Sequence, residues 1–489
     1  MGENIGGAMM SANSLDLIIV ALYFVLLLGV GYYASRKVRG MEDYAIAGRR
    51  LGYPVLLGTL IGTAIGAAAT VGKAGKAYDV GIALFFATFA YGIGLIAFGY
   101  IAPTIRRIKI WTIPDALEIR YGRGIRIVTA IVMVLAVIAL FGAQLIAVGL
   151  AVSAVLGEFG ISYTEAILGA GIIMILYTVM GGLVAVAYTD LIQTIIMLIA
   201  VGILLPIFVT REVGGAAVAW GYLKPPAGHF WGGLSLVFII SIFLIDIPFC
   251  LIDPSLWQRA SAAKDAKMMK KSMFVTAGIY FYWSFIAVFL GIMAMHLLPG
   301  LTDVAGGVDS AIPRQVALYM PPLLKGLCLA AMMAIMMSTA DTALLISGTT
   351  FSRDIVRTFK PQTTDKTLLR LARIFIIIIG GIGVIFALNM SGIFDILLLA
   401  FAIFVSGIFV PTMAALFWKK ATKAGALVSS IAASVAVVVL YGLKLSKMLP
   451  DWIEPIIVSI FLSLILMVTV SMATYRPDTA TARLVDMEK

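Results

Sequence analysis

GTLIGTAIGAAATVGKAG, residues 58–75, decides how this chain is read. It is apolar enough to lie in lipid, yet glycines stand at 58, 62, 66, 72 and 75. Gly58, Gly62 and Gly66 are four residues apart and share one helical face. One reading is a row of small residues that lets another helix approach closely. The other is a discontinuous helix, since glycine releases the backbone from helical geometry and the freed carbonyls can line a cavity. Both readings stay open on the sequence.

The surrounding chain is a membrane protein throughout. Of its 489 residues, 62% are hydrophobic and 12% charged, with a mean hydropathy of +1.06. A hydrocarbon core of about 30 Å needs roughly 20 apolar residues per helix, and such runs recur almost end to end. Thirteen spans are expected, within about 15–34, 52–77, 81–105, 125–156, 163–180, 187–209, 232–256, 273–297, 323–350, 371–389, 394–418, 424–443 and 453–473. The first lacks a basic flank in front and is too long for a cleaved signal, so it stays as a helix.

Basic residues give the orientation. Segments 35–50, 104–126, 257–272, 353–373, 419–423 and the tail hold 28 of the 36 Lys and Arg residues, which places them inside. Lys73, Lys76, Arg211, Lys224, Arg314, Lys325, Lys444 and Lys447 fall toward the outside. The N-terminus is therefore expected outside and the C-terminus inside. The net charge of +11 reflects topology and contact with anionic headgroups, and is no argument for nucleic-acid binding. Cys250 and Cys328 form no CxxC and suggest neither disulfide nor thiol metal site; His229 and His296 read as structural.

A second interruption is expected in SLVFIISIFLIDIPFCLIDP, residues 235–254, where Pro248 removes a helix donor and Asp246 stands two residues before it. The interrupted segments are the second and seventh spans, so they open two successive sets of five. That placement is the pointer to an inverted-repeat transporter with its site at the bilayer midplane. In the ninth span, MMAIMMSTADTALL (332–345) brings Ser338, Thr339, Asp341 and Thr342 together. A lone hydroxyl there would bond back to a carbonyl one turn earlier. An intramembrane carboxylate such as Asp341 is costly and is expected to face a wet ion or substrate path. Two hydroxyls with unwound carbonyls would suit a monovalent cation. In GGLVAVAYTDLIQ (181–193), Gly181 and Gly182 are expected to stop one helix, and Thr189 or Asp190 to cap the next.

Taken whole, that last string resembles the fifth-span motif of the sodium:solute symporter family. DPSLWQRASAAKD (253–265), with Pro254 and Arg259, resembles the family's proline-arginine signature, and MSTADTALLISGTTFSRDI (337–355) its ninth-span motif. VPTMAALFWKKATKAGAL (410–427) and TIPDALEIRYG (112–122) are similar to two further family segments in the same order. The likeness runs from about residue 15 to 470. It implies an all-α, leucine-transporter-like fold: an extra helix in 15–50, five-helix repeats over 51–209 and 232–418, two more helices over 419–473, and a short cytoplasmic tail, 474–489.

By the same resemblance, carbonyls of Gly62, Ile65 and Ile335 and hydroxyls of Ser338 and Thr339 would bind sodium, with Asp190 behind them near the inner exit. Thr63, Gly66, Gln144, Asp246 and Cys250 would line the solute site. Two departures stand out. Ala64 replaces a carboxylate that some members carry, weakening the case for a second sodium site, and Ile252 replaces the glycine usual two residues before Pro254. Lys73 and Lys76 are also unexpected there; snorkelling to the interface is the simplest account, a vestibule wall or a built-in substitute for a cation the others. The function implied is sodium-driven symport of a small organic solute in the cytoplasmic membrane, an amino acid or amine favoured. Proton coupling through Asp341, Asp246 or Lys73, a carboxylate or sugar solute, and a non-transporting sensor are the alternatives. No nucleophile and base spacing points to an enzyme, and no obligate protein partner is expected.

Overall fold

The computed structural model describes residues 14–223, 234–304, 306–390, 392–450 and 452–476, with Leu484 and Asp486. Lys224, His229 and most of the tail lie outside the described residues. The fold is a helical bundle. Eleven helices are long and apolar enough to cross a membrane, or twelve if one bent pair counts as a span. The expected thirteen differ from this because two pairs of runs behave unlike simple hairpins.

The first is the bent pair. Helix α1 (Ser14–Ser35) is followed by α2 (Tyr53–Ala64), which starts with Pro54 in its first turn, where no helical N–H is needed. At Ile65 the backbone leaves helical geometry (φ −109°, ψ 89°), a π turn follows at Ala68–Gly72, and α3 (Lys73–Val80) departs at 54°. Both readings of the glycine row hold. A Cβ on Gly58 would lie 2.7 Å from the Leu191 backbone and one on Gly62 3.5 Å from Asp190 Cβ, so this face packs tightly. Gly66 sits in the break itself, where a Cβ would meet Thr339 Oγ1 at 2.6 Å.

After α4 (Phe89–Ile108) and α5 (Arg123–Leu156) comes the second case, α6 (Tyr163–Ile199), continued by further helix to Glu212. The 50-residue run turns at Gly182 (φ 54°, ψ −150°), where an added Cβ would stand 2.5 Å from the Tyr44 carbonyl. Only glycine fits that backbone at that approach. Helix resumes at once, so Asp190 lies about two turns inside and caps nothing, contrary to the capping expectation.

In α7 (Leu236–Ile252) the helix runs straight through Pro248. The interruption falls instead at Asp253 (φ −62°, ψ 114°), just before Pro254, whose ring disfavours helix in the preceding residue. Asp253 then accepts from Ser255 N at 2.7 Å and starts the short helix Pro254–Ala262. The expected break near Asp246 is thus displaced by about two turns.

Helices α8 (Ala266–Leu297), α9 (Leu324–Thr349), α10 (Asp365–Asn389) and α11 (Ile393–Phe417) complete the core, and α12 (Lys423–Leu445) and α13 (Pro455–Thr474) pair beside α11. The apolar stretch of α9 is buried on every side, packed by α1, α5, α6 and α10. Helix α1 fastens it from outside the core: buried Asp16 accepts from Leu323 N at 3.0 Å and Gly326 N at 2.7 Å, taking up donors that the start of α9 leaves free.

Candidate functional site

The break after α2 leaves carbonyls without helical partners, and α9 brings hydroxyls to them. Ser338 Oγ donates to Gly62 O at 2.9 Å and lies 3.1 Å from Ile335 O. Thr339 Oγ1 reaches Thr63 O at 3.4 Å. Four of the five residues expected around sodium, Gly62, Ile335, Ser338 and Thr339, therefore meet where α2 ends, and Ile65 is the residue at which the helix is lost. The oxygens are hard, neutral and shielded, a donor set matched to a monovalent cation and lacking the charge a divalent one would call for.

Behind them lies a buried polar chain. Thr59 Oγ1 donates to Asp190 Oδ2 at 2.5 Å, and Arg259 Nη2 lies 3.5 Å from that same oxygen. Arg259 also donates to Thr59 Oγ1 at 3.1 Å and to Thr342 Oγ1 at 2.6 Å. Thr194 Oγ1 donates to Gly58 O at 2.8 Å. Asp190 Oδ1 has no partner in this arrangement. The guanidinium thereby joins the segment after α7 to α2, α6 and α9. Asp341 departs from expectation: it does not line the cavity beside the break, but accepts from Tyr177 Oη at 2.7 Å and Thr342 N at 2.7 Å, fully buried. Protein donors supply what water was expected to supply.

Beside the break is a mainly apolar cavity whose wall includes Thr63, Gly66, Gln144, Asp246 and Thr339. Phe249 and Phe401 stack at 4.0 Å on one side, and the tilted rings of Tyr91 and Tyr280 lie 4.6 Å apart on another. Gln144 Oε1 accepts from Ala67 N at 2.8 Å and so steadies the unwound backbone. Thr63 Oγ1 is buried without a partner. Among the described residues, the Asp246 carboxylate accepts no hydrogen bond and joins no ion pair. Cys250 does not reach this cavity. One turn beyond Asp246 it points at Gly94, where an added Cβ would come within 2.6 Å of its own, and its thiol faces Tyr91 O at 3.4 Å.

Lys73 is the residue whose place the sequence concealed. It does not snorkel: only 4% exposed, it donates to Tyr280 Oη and Ser284 Oγ at 2.9 Å each and lines the same cavity. Lys76, one turn on, lies over the Phe238 ring at 5.7 Å. A charge inside a span was the available signal for Lys73; its partners, some 200 residues away, gave none. His296 stacks on Tyr222 at 3.6 Å, away from the site.

A multi-pass bundle in which a broken helix offers carbonyls to hydroxyls beside a mainly apolar cavity is built as an ion-coupled secondary transporter. Comparison with known proteins agrees. Residues 44–433 match the model of the sodium:solute symporter family, and the chain belongs to that family. It is 28% identical to the osmoregulated proline transporter OpuE of Bacillus subtilis, over 96% of this chain and 97% of that one. It is 26% identical to the sodium/glucose cotransporter of Vibrio parahaemolyticus, over 86% and 83%. Among solved structures, a Na+-coupled sialic acid symporter in a substrate-bound outward-open state superposes with a TM-score of 0.76 at 20% identity, covering 94% of this chain and 97% of that one. MhsT in complex with L-phenylalanine gives 0.55 at 15% identity, over 85% and 98%. The fold is leucine-transporter-like, and the protein is a sodium-coupled symporter and not an enzyme.

Proposed function

We propose that this symporter carries a small organic solute with a protonated amine, an amino acid above all, together with sodium. The observation that supports it is Asp246. Among the described residues, its carboxylate stands in the cavity wall with no protein donor. A carboxylate in an apolar cavity is costly unless compensated; Lys73 attracts it without an ion-pair contact, and a cationic nitrogen on the solute would complete the compensation. The unpartnered Thr63 hydroxyl in the same wall is a second contact for such a solute.

Sodium binds, on this reading, to the carbonyls of Gly62, Ile65 and Ile335 and the hydroxyls of Ser338 and Thr339. Because these belong to α2 and α9, the ion draws the broken helix onto α9. It thereby stabilises the state in which the adjoining cavity is shaped for solute, and its departure inward releases both. Asp190 and Arg259 hold the inner side of that junction. Thirteen crossings, with N-terminus out and C-terminus in, fit this mechanism. At 1.5 Å per residue the run Tyr163–Glu212 is far longer than a bilayer core of about 30 Å, and its turn at Gly182 divides it into two spans. The bent pair α2 and α3 makes one span and opens the first five-helix repeat (51–209); the second is 232–418. The membrane is the cytoplasmic one.

The test is uptake into proteoliposomes under an imposed sodium gradient, screened over labelled amino acids, amines, carboxylates and sugars, followed by Asp246→Asn. Uptake of an amine-bearing solute that Asp246→Asn weakens by at least about tenfold, with sodium dependence retained, is the expected result. Transport of a sugar or plain carboxylate with unchanged affinity in Asp246→Asn would refute the assignment.

A further inference from the structure

Lys73 is a buried cation in the cavity wall that the sodium route does not use. Lys73 begins α3 immediately after the π turn, so its backbone is fixed by the break itself, where Gly72 N bonds to Ala67 O at 2.9 Å. Its ammonium is gripped from α8: Tyr280 Oη and Ser284 Oγ each accept at 2.9 Å, and the Tyr280 ring centroid lies 4.4 Å away. An ammonium has three N–H donors, and these contacts use two. Both acceptors are neutral hydroxyls. Among the described residues no carboxylate forms an ion pair with it, although Asp246 lines the same cavity. The cavity thus presents a positive and a negative group that attract each other without an ion-pair contact.

Touched only by neutral groups, with Asp246 attracting it from beyond ion-pair distance, the ammonium is compensated only in part for its desolvation. A plain amine in the cavity would answer Asp246 and leave Lys73 unanswered. It would also add a second cation to an apolar chamber. We infer that Lys73 is the specificity-determining residue that takes the carboxylate of the solute, so that the transported species is a zwitterion with its amine on Asp246 and its acid on Lys73. The pairing of both charges rests on the reading of Asp246 above; the carboxylate half stands on Lys73 alone. The apolar and aromatic remainder of the wall, with Phe249, Phe401 and Tyr91, receives the rest of the molecule.

The experiment uses the purified full chain in sodium chloride. The twenty proteinogenic L-amino acids are screened by thermal shift, and the most stabilising one is then compared with two analogues by isothermal titration. Its carboxamide keeps the amine and loses the charge for Lys73; its deaminated acid keeps the carboxylate and loses the charge for Asp246. On the unaltered protein, both analogues should bind at least about tenfold more weakly than the parent. Lys73→Met should abolish the preference for acid over amide and leave the preference for the amine. Should Lys73→Met fail to fold, the analogues on the unaltered protein still decide. An amide that binds as well as the acid, or a preference that survives Lys73→Met, overturns the role of Lys73 and spares that of Asp246. A deaminated acid as tight as the parent overturns the zwitterion and the Asp246 reading together, and supports the carboxylate half. If no amino acid stabilises the protein, the zwitterion is wrong, and the Asp246 reading then stands or falls with the amines of the uptake screen.

Discussion

Ser338 Oγ lies 2.9 Å from the Gly62 carbonyl, 276 residues away in sequence, and this contact ties the central helix α9 to the last turn of the broken helix α2. In an uninterrupted helix that carbonyl would serve the amide of Gly66. The break frees it, and the hydroxyl stands on it.

The first prediction follows from that contact. On the proposed sodium assignment, Ser338→Ala and Thr339→Ala each remove an oxygen that an apolar surrounding does not replace. Each should raise the sodium concentration for half-maximal uptake by roughly tenfold or more, on the scale of a lost buried polar interaction. Measured sodium dependence that is the same in both variants and the parent would refute the site.

Arg259 gives a stability prediction. Its guanidinium is wholly buried against Asp190, Thr59 and Thr342. Arg259→Met strands the Asp190 carboxylate, and stranding one partner of a buried pair costs about 3–5 kcal/mol. Thermal unfolding of the purified protein should show a large drop, and adding Asp190→Asn should restore part of it. Equal stability of the single and double variants would mean that the pair is not what holds this junction.

Glycine at 182 should be irreplaceable for a backbone reason. Alanine there combines φ 54° with a Cβ 2.5 Å from the Tyr44 carbonyl, whereas a Cβ on Gly29 in α1 meets nothing within 4 Å. Gly182→Ala is expected to destabilise by at least about 1–3 kcal/mol, and Gly29→Ala to leave the melting temperature unchanged. The two substitutions behaving alike would argue against the turn.

Topology is open to labelling without any cysteine-free background, because Cys250 and Cys328 are both buried. Lys264→Cys, at an exposed position between the helix Pro254–Ala262 and α8, should react with an impermeant reagent from the cytoplasmic side only. Position 215 is expected on the other side but has φ 102°, so its exposed neighbour is the better probe: Ala216→Cys should react from outside only. The reverse pattern would overturn the proposed orientation.

Much of this was legible in the sequence because it is local chemistry. Apolar run length determines helices in lipid, and the glycine row admitted a break in the second span without deciding where it falls. Even so, the seventh segment showed the limit: Pro248 looked like the break, but membrane helices tolerate proline, and the interruption fell where Asp253 precedes Pro254. What only tertiary structure decided was the partner of each buried polar group. Asp190 read as a cap, and became the acceptor of Thr59, 131 residues distant. Asp341 read as the wall of a wet path, and found Tyr177. Cys250 turned to Gly94 instead of the cavity, and Lys73 turned inward to Tyr280 instead of outward to the interface. In a membrane interior a polar group must be answered by whatever the packing brings to it. Hydropathy and spacing say that such a group needs a partner, and only the arrangement of distant helices says which.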